Sequence, residues 1–349
     1  MKRNKTCLLD IVLSVCVALL VSVNAYAHQQ DNQNSALTGS LVVVNKTDNS
    51  VSIIDIESAS IVATLPTGEG PHELIISKDG RWAVSTDFVG GDSLTVFDLA
   101  ELKVARRIDL ADYKGPHGIR FIEEREQNHV MFTSGTSQHV AVANIHTGKI
   151  VSAAKTAQNT THMLAIDKQA GFVYTTNIRS NSLTQLSLTP LAKVQDLDTK
   201  AMPEAINISQ AAKQLWYGAN KDGIVTVLDL LELNQGNSEE LASFENFSFP
   251  YRVLFNHAQN IALVPDFRAH KVRFFDTQQL TEIGQLDLAA NAGPQGIVLH
   301  PTLDIAFLSL NLLHKVIAID ISTRRIIGEY PTGNNPDGIG YTHLSFRAD

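Results

Sequence analysis

The chain is poor in several residue types. Its 349 residues include two cysteines, two tryptophans and four methionines, and aromatic residues make up only 7%. Basic residues number 28 against 36 acidic ones, for a formal net charge of −8. That balance argues against a nucleic-acid partner, whose phosphates call for clustered Lys and Arg. There is no Walker loop and no dinucleotide fingerprint, so the glycine-rich phosphate cradles are excluded. Beyond residue 23 no apolar run is long enough to span a membrane. Glycine (21) and proline (11) are too few for a collagen-like or low-complexity chain, and 44% apolar residues are too many for a disordered one.

Both cysteines, Cys7 and Cys16, fall in the N-terminal segment. Lys2, Arg3 and Lys5 give it a basic start, and an apolar run follows from Leu8 to Val23. Ala25-Tyr26-Ala27 is a small-x-small cleavage pattern. This layout is that of a secretory signal peptide over residues 1–27, with an uncleaved anchor as the alternative. Cleavage removes 27 of the 349 residues, including both cysteines, Lys2, Arg3, Lys5 and Asp10, which leaves 322 residues at −10. The mature protein is then expected to be periplasmic or secreted, without disulfides and without a membrane span. Residues 28–38 read as a polar leader, and 39–349 as one domain.

A proline before an apolar strand recurs along the chain. It stands in Gly70-Pro71-His72-Glu73 and Gly115-Pro116-His117-Gly118, and is degenerate in Thr160-Thr161-His162-Met163. It returns in Met202-Pro203-Glu204, Phe249-Pro250-Tyr251, Gly293-Pro294-Gln295-Gly296 and Asn335-Pro336-Asp337-Gly338. The anchors at 71, 116, 161, 203, 250, 294 and 336 are spaced 45, 45, 42, 47, 44 and 42 residues apart. Each period reads as four short strands with period-two alternation, separated by turns rich in Gly, Asp and Asn. A four-stranded repeat of this length is the signature of a propeller blade. The spacing predicts an all-β fold, a seven-bladed β-propeller with four antiparallel strands per blade. The mature chain opens on second-, third- and fourth-strand sequences and ends on a first-strand sequence at Gly338–Tyr341. The C-terminal strand is therefore expected to complete the N-terminal blade and remove its free edge.

The segment Phe172-Val173-Tyr174-Thr175-Thr176-Asn177 through Leu183 resembles the YVTN-type propeller repeat, as do Val44–Asp55 and Val316–Asp320. No WD dipeptide closes the third strands. The resemblance covers essentially residues 39–346. It implies that the first strand of each blade lines a central channel. It also implies that the loop entering that strand, and the loop between second and third strands, open on one face.

The residue after each anchor then forms a ring at one mouth: His72, His117, His162, Glu204, Tyr251, Gln295 and Asp337. Imidazole and carboxylate are the usual ligands of divalent transition metals. His72, His117, His162 and Glu204 are accordingly the candidate metal ligands. The plainer reading is that these histidines cap backbone groups at the mouth. Arg179, Lys221 and Arg268 in the second-to-third loops, with Arg252 after Tyr251, add positive charge. With Tyr251, Gln295 and Asp337 they suggest a small anionic ligand. The alternative is pairing with Asp87, Asp222 or Asp266. His270 and His314 are lesser candidates on the same face, and His300 reads as a surface residue of the other face. Gly91-Asp92-Ser93-Leu94 matches a short esterase string but falls in a blade loop, without the fold that string needs.

The sequence thus points to an exported binding or scaffold protein whose channel mouth takes a metal, a small anionic ligand or an envelope protein. The alternative is a metal-assisted propeller enzyme, a hydrolase, lactonase or lyase, using the same ring.

Overall fold

The computed structural model describes residues 37–122 and 128–346. The expected signal and residues 28–36 of the expected leader lie outside the described residues. Seven four-stranded antiparallel sheets make up the described structure. The first blade contains β1 (Ser40–Asn45), β2 (Ser50–Asp55) and β3 (Ser60–Pro66). The second contains β4 (Pro71–Ile76), β5 (Trp82–Asp87), β6 (Ser93–Asp98) and β7 (Lys103–Asp109). Strands β8 to β27 repeat this order from Pro116 to Pro331, and β28 spans Pro336–Thr342.

The last strand closes the ring. β28 pairs antiparallel with β1, with Leu41 opposite Tyr341 and Val42 opposite Gly340. Leu37 is buried beside Leu41 and Ile339, and the Tyr341 hydroxyl donates to the Thr38 carbonyl.

Burial follows strand order within a blade. Every residue of β1 and β2 is buried, whereas β3 alternates between half-buried and exposed. Inner strands are covered on both faces by neighbouring blades, so near-continuous Val and Ile is what their sequence must supply. The blade-to-blade contacts form separate apolar clusters; Trp216 lies fully buried in one of them, with Phe247, Phe255 and Phe275. In five of the seven blades the side chain ending the second strand is polar, and in several it ties the blade together. Asn45 donates to Ser50 and Ser52, and Asn177 donates to Ser182 and Thr184. Ser93, the serine of the esterase string, donates to Asp87 in the same role. The Asp or Asn ending most third strands accepts backbone N–H groups of its own turn, as Asp320 does from Thr323 and Asn144 from His146. One short helix, α1 (Leu230–Asn234), interrupts the β pattern and is capped by the Asp229 side chain.

One irregularity repeats and matters for the site. The first strand of a blade slips register just after its anchor, between Pro71 and Leu74, Pro116 and Ile119, and Thr161 and Leu164. The same slip occurs between Pro203 and Ile206 and between Pro294 and Ile297. Such a bulge takes residues out of the ladder and re-aims their side chains. The freed N–H groups need partners. Thr86 Oγ1 accepts from Glu73 N, and Thr176 Oγ1 accepts from Met163 N.

Candidate functional site

The bulges sit at one mouth of the channel, and the residues they release converge there. A cavity of about 280 Å³ opens at this mouth. Six of the seven ring positions line it: His72, His117, His162, Glu204, Tyr251 and Gln295. The seventh, Asp337, is fully buried behind them. Lys46, Ile178 and Phe267 complete the wall with Phe249 and Arg268. Lys46, Ile178 and Phe267 are each the residue just after a second strand.

The histidines touch one another. The His117 ring stacks on His162 at 3.5 Å between centroids and lies 4.4 Å from His72. Phe88, again the residue after a second strand, meets His72 and His117 edge-on at 5.5 and 5.0 Å. His117 is fully buried, and neither of its ring nitrogens has a hydrogen-bond partner among the described residues. Burial pushes its pKa well below the ordinary imidazole value, and the neighbouring histidines push the same way.

Charge is arranged around this stack. Asp337 Oδ2 lies 2.9 Å from His72 Nδ1 and 3.2 Å from Lys46 Nζ, and it accepts from the Tyr251 hydroxyl at 3.0 Å. Lys46 Nζ is also 3.1 Å from His72 Nε2. Burial alone would raise the Asp337 carboxyl, but Lys46 and His72 hold it far below the usual carboxylate range. Burial alone would lower His72, and Asp337 more than offsets this, so His72 titrates above its ordinary value. One residue deeper, Arg252 is bonded to Glu73 Oε1. Burial alone would raise the Glu73 carboxyl, and that guanidinium together with His72 holds it low.

The expected site residues separate under this geometry. His72 and His117 stand with Glu73, one ligand atom from each lying within 4.8 Å of the other two. His162 and Glu204 form a second pair, with His162 Nε2 3.7 Å from Glu204 Oε1, and Asn220 donates to Glu204 Oε2. Tyr251, Gln295 and Arg268 line the cavity, and the Arg268 guanidinium lies over the Phe249 ring at 4.7 Å. Arg252 is buried and committed to Glu73, so it is not at the rim as expected. Arg179 is exposed and outside the cavity lining, and Lys221 faces a neighbouring depression. Arg179, Lys221 and Arg268 all stand two residues past a second strand, and of the three only Arg268 reaches this cavity. The alternative partners of these cations are engaged elsewhere. Asp266 accepts from Ser248 and Phe249 N–H groups, and Asp222 accepts from Ala201 N–H. His270 and His314 serve as caps, accepting from the N–H groups of Gly293 and Asn335. His300 is buried, contrary to expectation, and its Nδ1 accepts from Thr302 and Leu303.

Three contributors were not singled out from sequence: Glu73, Lys46 and Phe88. Lys46 and Phe88 share one repeat position with Ile178 and Phe267, a signal the spacing contains. Glu73 enters only because of the bulge.

Family comparisons agree with this architecture. A family described as "Lactonase, 7-bladed beta-propeller" matches residues 132–328, and one described as "YNCE-like beta-propeller" matches residues 21–127. No curated protein sequence is similar to the chain. Among solved structures, a functionally unknown protein from Desulfotomaculum acetoxidans superimposes with a TM-score of 0.71 at 14% identity, over 88% of this chain and 99% of its own. Kuenenia stuttgartiensis hydrazine synthase superimposes at 0.67 and 15% identity, over 78% of this chain and 90% of its own. The dihydro-heme d1 dehydrogenase NirN in complex with DHE superimposes at 0.62 and 14% identity, over 88% and 75%. Likeness at these identities is a likeness of fold.

Proposed function

We propose, given that the chain belongs to the seven-bladed β-propeller lactonase family, that it is a binding protein whose channel mouth takes a small anionic ligand. The observation that carries this reading is His117, a cavity-lining residue that is fully buried and whose ring nitrogens have no partner among the described residues. A buried polar group without a partner costs roughly 1–3 kcal/mol, and a ligand oxygen that accepts from the ring offsets it. Lys46 and the exposed Arg268 bring positive charge to the same cavity, and Gln295 adds an amide. The volume is at the small end for ligand sites, which suits a sugar acid or a small dicarboxylate rather than a nucleotide. We also read residues 1–27 as an export signal and the blades as YVTN-type repeats, which puts the mature protein in the periplasm or outside the cell. Calorimetry with glucuronate, gluconate and citrate, against neutral glucose, tests the ligand reading. Binding of an acid but not of glucose, weakened at least tenfold in His117→Phe, is expected. Acids that fail to bind, or that bind His117→Phe equally, would remove it.

Lactone hydrolysis is the second reading, favoured by the burial that keeps His117 neutral beside the cavity. There an imidazole nitrogen takes a proton from water as the water oxygen bonds to the lactone carbonyl carbon. The ring C–O bond then breaks and its oxygen receives that proton, giving the hydroxy acid. Acid release from a lactone panel above the spontaneous rate, lost in His117→Phe, is the corresponding measurement.

A further inference from the structure

We propose that the channel mouth holds a divalent transition-metal ion on His72, Glu73 and His117. These three buried residues offer ligand atoms within 4.8 Å of one another. Donors around a tetrahedral ion with bonds of about 2.1 Å lie roughly 3.4 Å apart, so binding requires only a small contraction. Two imidazoles and one carboxylate suit zinc, iron or nickel better than the oxygen-seeking calcium and magnesium.

His117 supplies the second, independent observation. Buried polar groups nearly always have a partner, yet both nitrogens of this fully buried ring have none among the described residues. A ring left free beside another imidazole and a carboxylate offers the lone pair an ion needs. The bulge after Pro71 makes the arrangement possible, because it lets consecutive residues, His72 and Glu73, face the same point.

Arg252 holds one carboxylate oxygen of Glu73, the kind of contact that fixes a ligand's orientation. His72 and His117 line the cavity, so a coordination position open to the cavity is available to a ligand oxygen. His162 stacks on His117 and stays outside the donor set, which separates this site from one built on all three histidines.

The site does not depend on the anionic-ligand reading, and the two are tested separately. Untagged, chelator-stripped protein is titrated with zinc by calorimetry, and elemental analysis gives the stoichiometry. One ion per chain is expected, with affinity lowered at least tenfold in His117→Phe and in Glu73→Gln. In His162→Phe, which keeps a ring against His117, affinity should stay within threefold of the parent. Should His117→Phe fail to fold by circular dichroism, the isosteric Glu73→Gln tests the same donor set. Absence of stoichiometric zinc, binding unchanged in Glu73→Gln, or an equal loss in His162→Phe overturns the proposal. Carboxylate titrations run with excess chelator report on the anion alone, so failure of one idea leaves the other readable.

Discussion

Asp337 Oδ2 lies 2.9 Å from His72 Nδ1, joining the strand that closes the ring to the first ring position of the second blade. Asp337 sits on β28, which also pairs with β1. Closure of the propeller and assembly of the mouth therefore use the same strand. Asp337 is the buried counter-charge for both Lys46 and His72. Asp337→Asn keeps the shape and removes that charge. Leaving buried partners uncompensated typically costs about 3–5 kcal/mol, and the lower end applies because the Lys46 side chain is 23% exposed. Urea unfolding should show a loss of about 3 kcal/mol. An unchanged midpoint would mean that the ionised Asp337 is not needed for closure.

Arg252 and Glu73 make the second buried pair, with side chains only 9% exposed on each side. Such a pair contributes less than its Coulomb attraction suggests, because both groups lose water. Breaking one side is the costly change. Arg252→Met and Glu73→Gln should each destabilise, and the double variant should lose less than the two losses combined. A coupling of about 2 kcal/mol is expected from groups in direct contact. A cycle in chemical denaturation measures it, and strict additivity would argue that Arg252 is satisfied by the Tyr251 carbonyl and Glu204 instead.

The architecture was legible because blade spacing and strand alternation are properties of sequence. Anchors 42 to 47 residues apart located the first strands, and the orphan first strand at Gly338–Tyr341 located the closure. The ring of seven residues came from the same register, and six of them share one cavity. What the register hid is local. A bulge breaks period-two alternation, so Glu73 gave no sign that it turns toward the mouth beside His72. Arg179 and Arg268 hold equivalent positions in the repeat and only Arg268 reaches the cavity, so no periodicity in the sequence separates them. Lys46 was overlooked for the opposite reason. It stands alone as a cation at a position that other blades fill with Phe88, Ile178 and Phe267.

Gly296 marks where inner strands come closest. A Cβ placed there would stand 2.1 Å from the Asp337 carbonyl oxygen, which is backbone and has little freedom to yield. Gly338 likewise faces the backbone of His72 and Glu73. Glycine at these positions lets the backbones of neighbouring inner strands approach. Gly296→Ala should cost about 2–3 kcal/mol through overpacking. It should also push Asp337 away from His72, so zinc or carboxylate affinity should fall together with the unfolding midpoint. A fully stable Gly296→Ala with native binding would show that the channel tolerates wider spacing.

His117 makes acid sensitivity a specific prediction. Its pKa in the folded protein is well below the ordinary value of 6.5. Below pH 6.5 the unfolded chain takes up a proton at this residue and the folded protein does not. The stability it contributes is therefore complete above pH 6.5 and is lost as pH falls, by about 1.4 kcal/mol per unit until the folded ring titrates. His72 works in the opposite sense, since its raised pKa favours the fold below 6.5 and that gain fades as pH rises through the folded value. Asp337 and Glu73, both lowered, lose their contribution only in stronger acid. His72 therefore sets the slope above pH 6.5 and His117 the slope below it, with opposite signs. His117→Phe removes one of them and keeps the ring volume. Measured by urea unfolding, the stability of the parent relative to His117→Phe should fall steadily from about pH 6.5 to 5. Parallel curves for the two proteins across that window would mean that the buried imidazole takes up its proton as readily in the fold as outside it.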